Sequence, residues 1–395
     1  MYLSGFVHRE QLFELTRRWL CARLEPDDGL LITRTLICDG FVLGETLEAI
    51  IRKLLAAFHQ GSFELKRIHF KGELRETLCK SVQEQTPRVM ELIQDYRKRP
   101  EFYYKDVPIN GVMALDQDGR LLGLYRLKRP RRIAEKANRY IANWIFQMVQ
   151  QKARRLAEER ARVLRIPLEL LLTPEEEMAQ EFIRAEKEIA ESFRDGRIQM
   201  DRSALTINDI GGIKIVADQQ TLARLEELLE EGPYWEVVEK EEYKGEYRAK
   251  SFVLKHRWDK DGVCKAFMEK EGWKRYLNRG IPEQELAKGI GAWLEDASPE
   301  LYLEVMFSTF PDMVESELGS CIHEERILAQ RDTKVYKGYI PANVEFLVEY
   351  LFSLGLSPKT QIDSLPILLW GRYLPETMIS KIRALYGVGE NGPLY

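Results

Sequence analysis

Seven residues, "LYLEVMF" from Leu301 to Phe307, constrain the fold more than any other stretch. Leu301, Leu303, Val305 and Phe307 alternate with Tyr302, Glu304 and Met306, so one face of an extended strand is wholly apolar and needs a core. The other face carries an acid in mid-strand. Strand interiors accept acids poorly unless the carboxylate reaches solvent or a cation. Two more strands are expected upstream, at 210–217 and 247–255, with the helix "QQTLARLEELLEEG" between them. An insertion over 258–299, holding a helix "KAFMEKEGWKRYL", precedes the third strand. Strands alternating with helices predict an α/β (α+β) fold, a mixed sheet flanked by helices.

The chain has 395 residues, enough for two or three cores. An N-terminal α/β module is expected over 1–128, a helical connector over 129–200, a mixed-sheet domain over 201–335 and a helical segment over 336–395. In the first, "REQLFELTRRWLCARL" and "LGETLEAIIRKLLAAF" have helical spacing, and "GLLITRTLICDG" reads as a strand ending in a turn. "VMALDQDGRLLGLYRL" reads as a hairpin. A basic knot, "KRPRR", opens a long helix to about Val163. A second helix follows, with Thr173 as its cap, Pro174 in its first turn and Gly196 as its stop. "NVEFLVEYLFSLGL" and "PETMISKIRALYG" close the chain as helices.

A net charge of −4 gives no global attraction to nucleic acid, so any anion site must be local. Cys21, Cys38, Cys79, Cys264 and Cys321 are far apart and form no CxxC pair. That argues against a disulfide framework or a zinc knuckle and for a reducing cytoplasm. The N-terminus lacks a signal-peptide core, and no apolar run reaches the length of a membrane span. No membrane partner is expected.

"NDIGGIKIV", Asn208 to Val216, puts an acid and two glycines ahead of a β-branched run that one lysine interrupts. If this strand neighbours the one holding Glu304, then Asp209 and Glu304 meet over one sheet face. Two such acids repel. A divalent cation relieves the repulsion, and magnesium suits two carboxylates plus phosphate and water. Gly211 and Gly212 would let backbone approach a bulky ligand. Lys214 would face phosphate, because Ile213 and Ile215 point the other way. The plainer alternative is a turn before a strand, with Glu304 as a surface acid.

The order of these pieces resembles the synthetase domain of the RelA/SpoT family, the makers of guanosine alarmones. The family's D-[IL]-x-G-I-R-[IV]-[IV] is "DIGGIKIV" here, and "EYRAKS" stands where the family has G-Y-[RQ]-S-x-H. "EVMFST" followed by "SELGSCIH" matches E-V-Q-I-R-T and the helix beyond it, placing Glu304, Thr309, Glu317, Gly319 and His323 on family positions. The resemblance covers about 184–327. It implies a nucleotidyltransferase-like fold, without the family's hydrolase domain, and transfer of pyrophosphate from ATP to the 3′-hydroxyl of GDP or GTP. It implies that Asp209 and Glu304 are catalytic and hold magnesium, that Tyr247 stacks on guanine, and that Lys214 and Arg248 steady phosphate. It also implies that Glu317 and His323 support the substrate from the helix after the third strand. Upstream, Arg184 and Lys187 stand where the family clamps ATP.

Several positions depart from the family. Glu246 replaces its glycine, Ser251 its histidine, and Met306 and Ser308 its glutamine and arginine. A catalytically degenerate nucleotide- or partner-binding module is therefore an alternative. Transfer to the 3′ end of tRNA is another, with the basic helix from Lys128 in its favour. "GVGENG" at the C-terminus has no helix after it and is set aside as a nucleotide loop.

Overall fold

The computed structural model describes residues 1–81, 83, 86–171, 174–197, 200–245, 247–319, 339–365 and 375–387, with backbone alone at 339–342 and 375–379. Thr173, Glu246, Cys321, His323 and most of "GVGENG" lie outside the described residues. The elements in order are β1 (Tyr2–Leu3), α1 (Arg9–Leu20), α2 (Asp28–Ala56), β2 (Phe63–Phe70), α3 (Lys71–Lys80) and α4 (Pro87–Lys98). Next come β3 (Pro108–Asp116), β4 (Leu121–Leu127), α5 (Pro130–Leu164), α6 (Glu175–Arg194), β5 (Thr206–Ile207) and β6 (Gly211–Val216). Then follow α7 (Gln219–Glu231), β7 (Trp235–Lys244), β8 (Arg248–Arg257), α8 (Lys260–Glu269), α9 (Glu283–Leu286) and β9 (Glu300–Ser308). The described chain ends with α10 (Phe310–Leu318), α11 (Tyr339–Leu356) and α12 (Pro375–Leu385).

The chain is a mixed sheet flanked by helices, as the alternation of its elements implied. Seven strands run in the order β2-β3-β4-β6-β9-β8-β7. β6 and β9 pair in parallel, and every other neighbouring pair is antiparallel. One sheet thus takes strands from both the 1–128 and the 201–335 stretches. β1 and β5 form a separate parallel pair.

The stretch "GLLITRTLICDG" is not a strand; it lies inside α2. Its β-branched residues favour extended backbone locally, but tertiary burial overrides that preference. Ile32, Ile37, Val42, Leu47, Ile51 and Leu54 are all fully buried along the helix. The Thr33 and Thr46 hydroxyls donate to the Gly29 and Val42 carbonyls at 3.0 and 2.7 Å, so neither is stranded in the core. α6 stops where Gly196 takes φ +67°.

Each sheet face has its own cover. α2 lies on β4 and β6, and α7 on β7, in the larger core. α3, α4 and α10 cover the β2-β3-β4 part of the other face and the end of β6 at Val216, through Leu74, Leu92, Val314 and Leu318. The rest of that face is partly open: Gly212, Lys214, Glu304 and Met306 on β6 and β9 are half-buried, while Ser251 and Val253 on β8 are buried. On β9, Leu301, Leu303, Val305 and Phe307 are at most 2% exposed on the covered side. Burying each contributes about 1.5–3 kcal/mol. A one-residue slip would turn all four outward and push Glu304 into the core, so the register is fixed.

Gly211 is small because of α2, not because of a ligand. A Cβ there would stand 2.9 Å from both Leu43 Cδ1 and Leu47 Cδ1. Gly211→Ala should therefore destabilise the fold by about 1–3 kcal/mol. Urea unfolding would show a lower midpoint with the slope unchanged. An unchanged midpoint would mean that α2 yields without penalty.

Candidate functional site

Strand register brings the polar residues together. Across the open face one row reads Arg126, Gly212, Glu304, Val253 and Glu239. The next reads Leu124, Lys214, Met306, Ser251 and Glu241. Directly paired residues share a face, so Lys214 and Glu304 stand on adjacent rows of the same surface.

Asp209 precedes β6. The Lys128 N–H, just past β4, donates to the Ile210 carbonyl at 2.8 Å and anchors Lys128 beside it. Lys128 pairs with Asp209 Oδ2, and Lys136, two turns into α5, donates to the same oxygen at 2.7 Å. Burial alone would raise the Asp209 pKa, but the two ammonium groups hold it at about 2. Burial pushes Lys128 down to about 8, against the pull of Asp209, and Lys128 lies within electrostatic reach of Glu304 as well. Asp209 Oδ1 is buried and has no hydrogen-bond partner among the described residues. Such an oxygen is a ready ligand for a hard cation.

Glu304 is half-buried. Its Oε1 accepts from Ser251 Oγ at 2.9 Å. Its Oε2 lies 3.5 Å from where a Cβ on Gly212 would be, so the glycine leaves that side clear. Lys214, also half-buried, is pushed down to about 8 by burial, with Glu317 pulling it up and Arg126 and Lys71 pushing it further down.

Glu317, on α10, is buried under cations. Lys71 Nζ donates to both its oxygens at 3.0 and 2.9 Å, and Arg75 approaches Oε2 at 3.5 Å. Burial would raise its pKa, yet Lys71, Arg75 and Lys214 bring it to about 2. Its oxygens face the protein's own lysine rather than open ground. From Lys71 to Lys136 the network is continuous, and its six cations (Lys71, Arg75, Arg126, Lys128, Lys136, Lys214) outnumber by one the acids Asp209, Glu304 and Glu317 taken with Glu239 and Glu241 on the same sheet rows. That excess favours an anion.

Tyr247 and Arg248 lie at the start of β8. Tyr247 stacks on Tyr243, with centroids 6.5 Å apart and planes 20° apart, and Tyr243 feels the charge of Glu304. The Arg248 side chain is exposed; its N–H donates to Asp312 Oδ1 at 2.8 Å. Asp312 N–H in turn donates to Thr309 Oγ1 at 3.3 Å, so Thr309 caps α10. Arg184 and Lys187 stand elsewhere. Arg184 pairs with Glu188, which also binds Lys152 at 2.8 Å. Lys152 is more than four turns beyond Lys136 on α5, about 24 Å by helix rise.

Sequence reasoning missed Lys71, Arg75, Arg126 and Lys136, and saw Lys128 only as part of a basic helix start. The one local signal was that Lys128 directly follows a strand. Its neighbour Asp209 comes from the pairing of β4 with β6, which no local pattern reveals.

Among the described residues, His8, Cys38 and Asp39 are the only three potential metal ligands lying close together. His8 Nδ1 meets Asp39 Oδ1 at 2.5 Å and Nε2 meets the Trp293 carbonyl at 2.8 Å. Both partners are acceptors, so both ring nitrogens carry protons and neither has a lone pair for a metal. Burial disfavours that charge, but Asp39 outweighs it and raises the His8 pKa. The group ties α1 and α2 to the insertion. Among the described residues no helix is long and apolar enough to cross a membrane. No family model, curated protein or solved structure matches this chain.

Proposed function

We propose that the open half-sheet is a RelA/SpoT-like, nucleotidyltransferase-type site that transfers pyrophosphate from ATP to the 3′-hydroxyl of GDP or GTP, with magnesium at Asp209 and Glu304. The observation that carries the reading is the parallel pairing of β6 with β9. It sets Gly212 against Glu304, one row from Lys214 and two strands from Arg126, with Asp209 just ahead of it. The unsatisfied Asp209 Oδ1 fits a metal ligand. Magnesium, when bound, would supply charge neutralisation at the transferring phosphates.

The chain's own groups divide the remaining work. Lys128, Lys136, Lys214 and Arg126 hold phosphate oxygens. Ser251 fixes Glu304 by Oε1 and leaves Oε2 to take the proton of the attacking hydroxyl. That hydroxyl oxygen bonds the β-phosphorus of ATP, and the bridging oxygen leaves with AMP. Tyr247, backed by Tyr243, offers a stacking surface for guanine.

A second reading, a nucleotide-binding module without turnover, draws on Asp209 being held by two lysines and on Ser251 in place of the family histidine. One experiment separates them. Incubation with γ-labelled ATP, magnesium and GDP or GTP should yield AMP and a labelled guanosine product in equal amounts. Calorimetric binding of nucleotide with no AMP from GDP, GTP or tRNA would overturn the enzymatic reading in favour of the module.

A further inference from the structure

The hairpin of α5 and α6 projects beyond its support. α5 buries Ile141, Ile145 and Val149 near its base, but past 150 only Ala161 is buried, and on α6 nothing before Ala185 is. Toward the free end α5 packs on α6 and on the short turn at Leu168–Leu170 between them. Two short helices alone are marginal in water. Yet Val163, Leu164, Leu170 and Met178, toward the free end, are 51 to 81% exposed. Apolar side chains grouped this way mark an interaction surface.

Charge on the arm is segregated. Residues 150–165 hold six basic and two acidic side chains, and residues 175–188 hold six acidic and two basic. Some of these join the two helices: Arg160 bridges Glu177 and Glu181 at 3.0 Å, and Lys152 meets Glu188 at 2.8 Å. Arg162, Arg165, Glu175 and Glu176, level with one another near the tip, are exposed and have no ion-pair partner among the described residues.

We propose that the arm docks against the same arm of a second copy, as an antiparallel four-helix bundle. A two-fold axis parallel to the arm lays α5 of each protomer on α6 of the other. Basic surface then meets acidic surface, and the two apolar ends meet each other. An axis across the arm would instead set α5 on α5 and repel. One symmetry operation therefore satisfies both the charge pattern and the exposed apolar groups.

Light scattering of the eluting full chain at about 50 μM in low salt should give twice the 46.2 kDa of one protomer. Arg162→Glu with Arg165→Glu should weaken the dimer roughly 30-fold or more, and so should Glu175→Lys with Glu176→Lys. All four together should restore it, with helical circular dichroism unchanged throughout. A monomeric wild type at that concentration overturns the proposal, whether the arm is covered by another segment of the chain or serves a membrane or another protein. A dimer indifferent to both reversals also overturns it, because the interface then lies elsewhere.

Discussion

Replacing Glu317 by Gln should lower the stability of the whole chain by about 3–5 kcal/mol. The carboxylate is the counter-ion of two buried cations, Lys71 and Arg75, which are 4% and 0% exposed, and of half-buried Lys214. A neutral amide in its place leaves those cations facing one another with little water to screen them. The effect is set by packing and holds whatever the protein does. It also fixes a pH dependence. The folded pKa of about 2 lies below the ordinary glutamate value of 4.5, so the acid stabilises the fold fully above about pH 4.5. That contribution, on the order of 3 kcal/mol, is lost as the pH falls from about 4.5 toward 2. Urea unfolding at pH 7 and pH 3 should show a large drop for the wild type and a smaller one for Glu317→Gln. A variant within about 1 kcal/mol of the wild type at pH 7 would mean that the lysines find other partners. Lys71→Met added to Glu317→Gln should recover part of the loss, since the unpaired charge is then gone.

What the sequence disclosed depended on whether the deciding pattern was local. The alternation at Leu301–Phe307 specifies both the strand and the outward side of Glu304, because period two is a property of a single strand. The hairpin around Asp116 and Gly119 was readable for the same reason. The stretch around Ile32 and Ile37 misled, because β-branched residues buried all round a helix look the same in sequence as those in a strand. Gly211 was read as room for a ligand, whereas α2 fills that room with Leu43 and Leu47. The cation set was mostly hidden. Lys71 and Arg75 reach Glu317 across some 240 residues of chain, and Lys128 reaches Asp209 only because β4 pairs with β6. Conversely, Arg184 and Lys187 were picked out by order along the chain, but α6 pairs Arg184 with Glu188, which binds Lys152 of α5 well beyond Lys136.

Asp209→Asn should reduce AMP formation by about 10³-fold or more, while leaving the chain folded. The amide keeps the shape of the side chain but removes the charge that would hold a cation and that now positions Lys128 and Lys136. Both lysines are about one-fifth exposed and can turn toward water, so the loss of stability should stay near 1–2 kcal/mol, well short of that for Glu317→Gln. The pH profile gives an independent check. Asp209, at about 2, stays ionised through the working range, so it contributes no acid limb near neutrality. Lys214 and Lys128, both pushed down to about 8, are ammonium below that pH and lose their charge above it. If they hold phosphate, kcat/KM should fall above about pH 8, through KM more than kcat, and Lys214→Arg should carry part of that fall to higher pH. A flat profile to pH 10, or an Asp209→Asn protein within tenfold of the wild type, would detach this charge network from the reaction. Asp209 would then be only a brace between β6 and α5, and the excess of cations beside Glu304 would need a different anion to explain it.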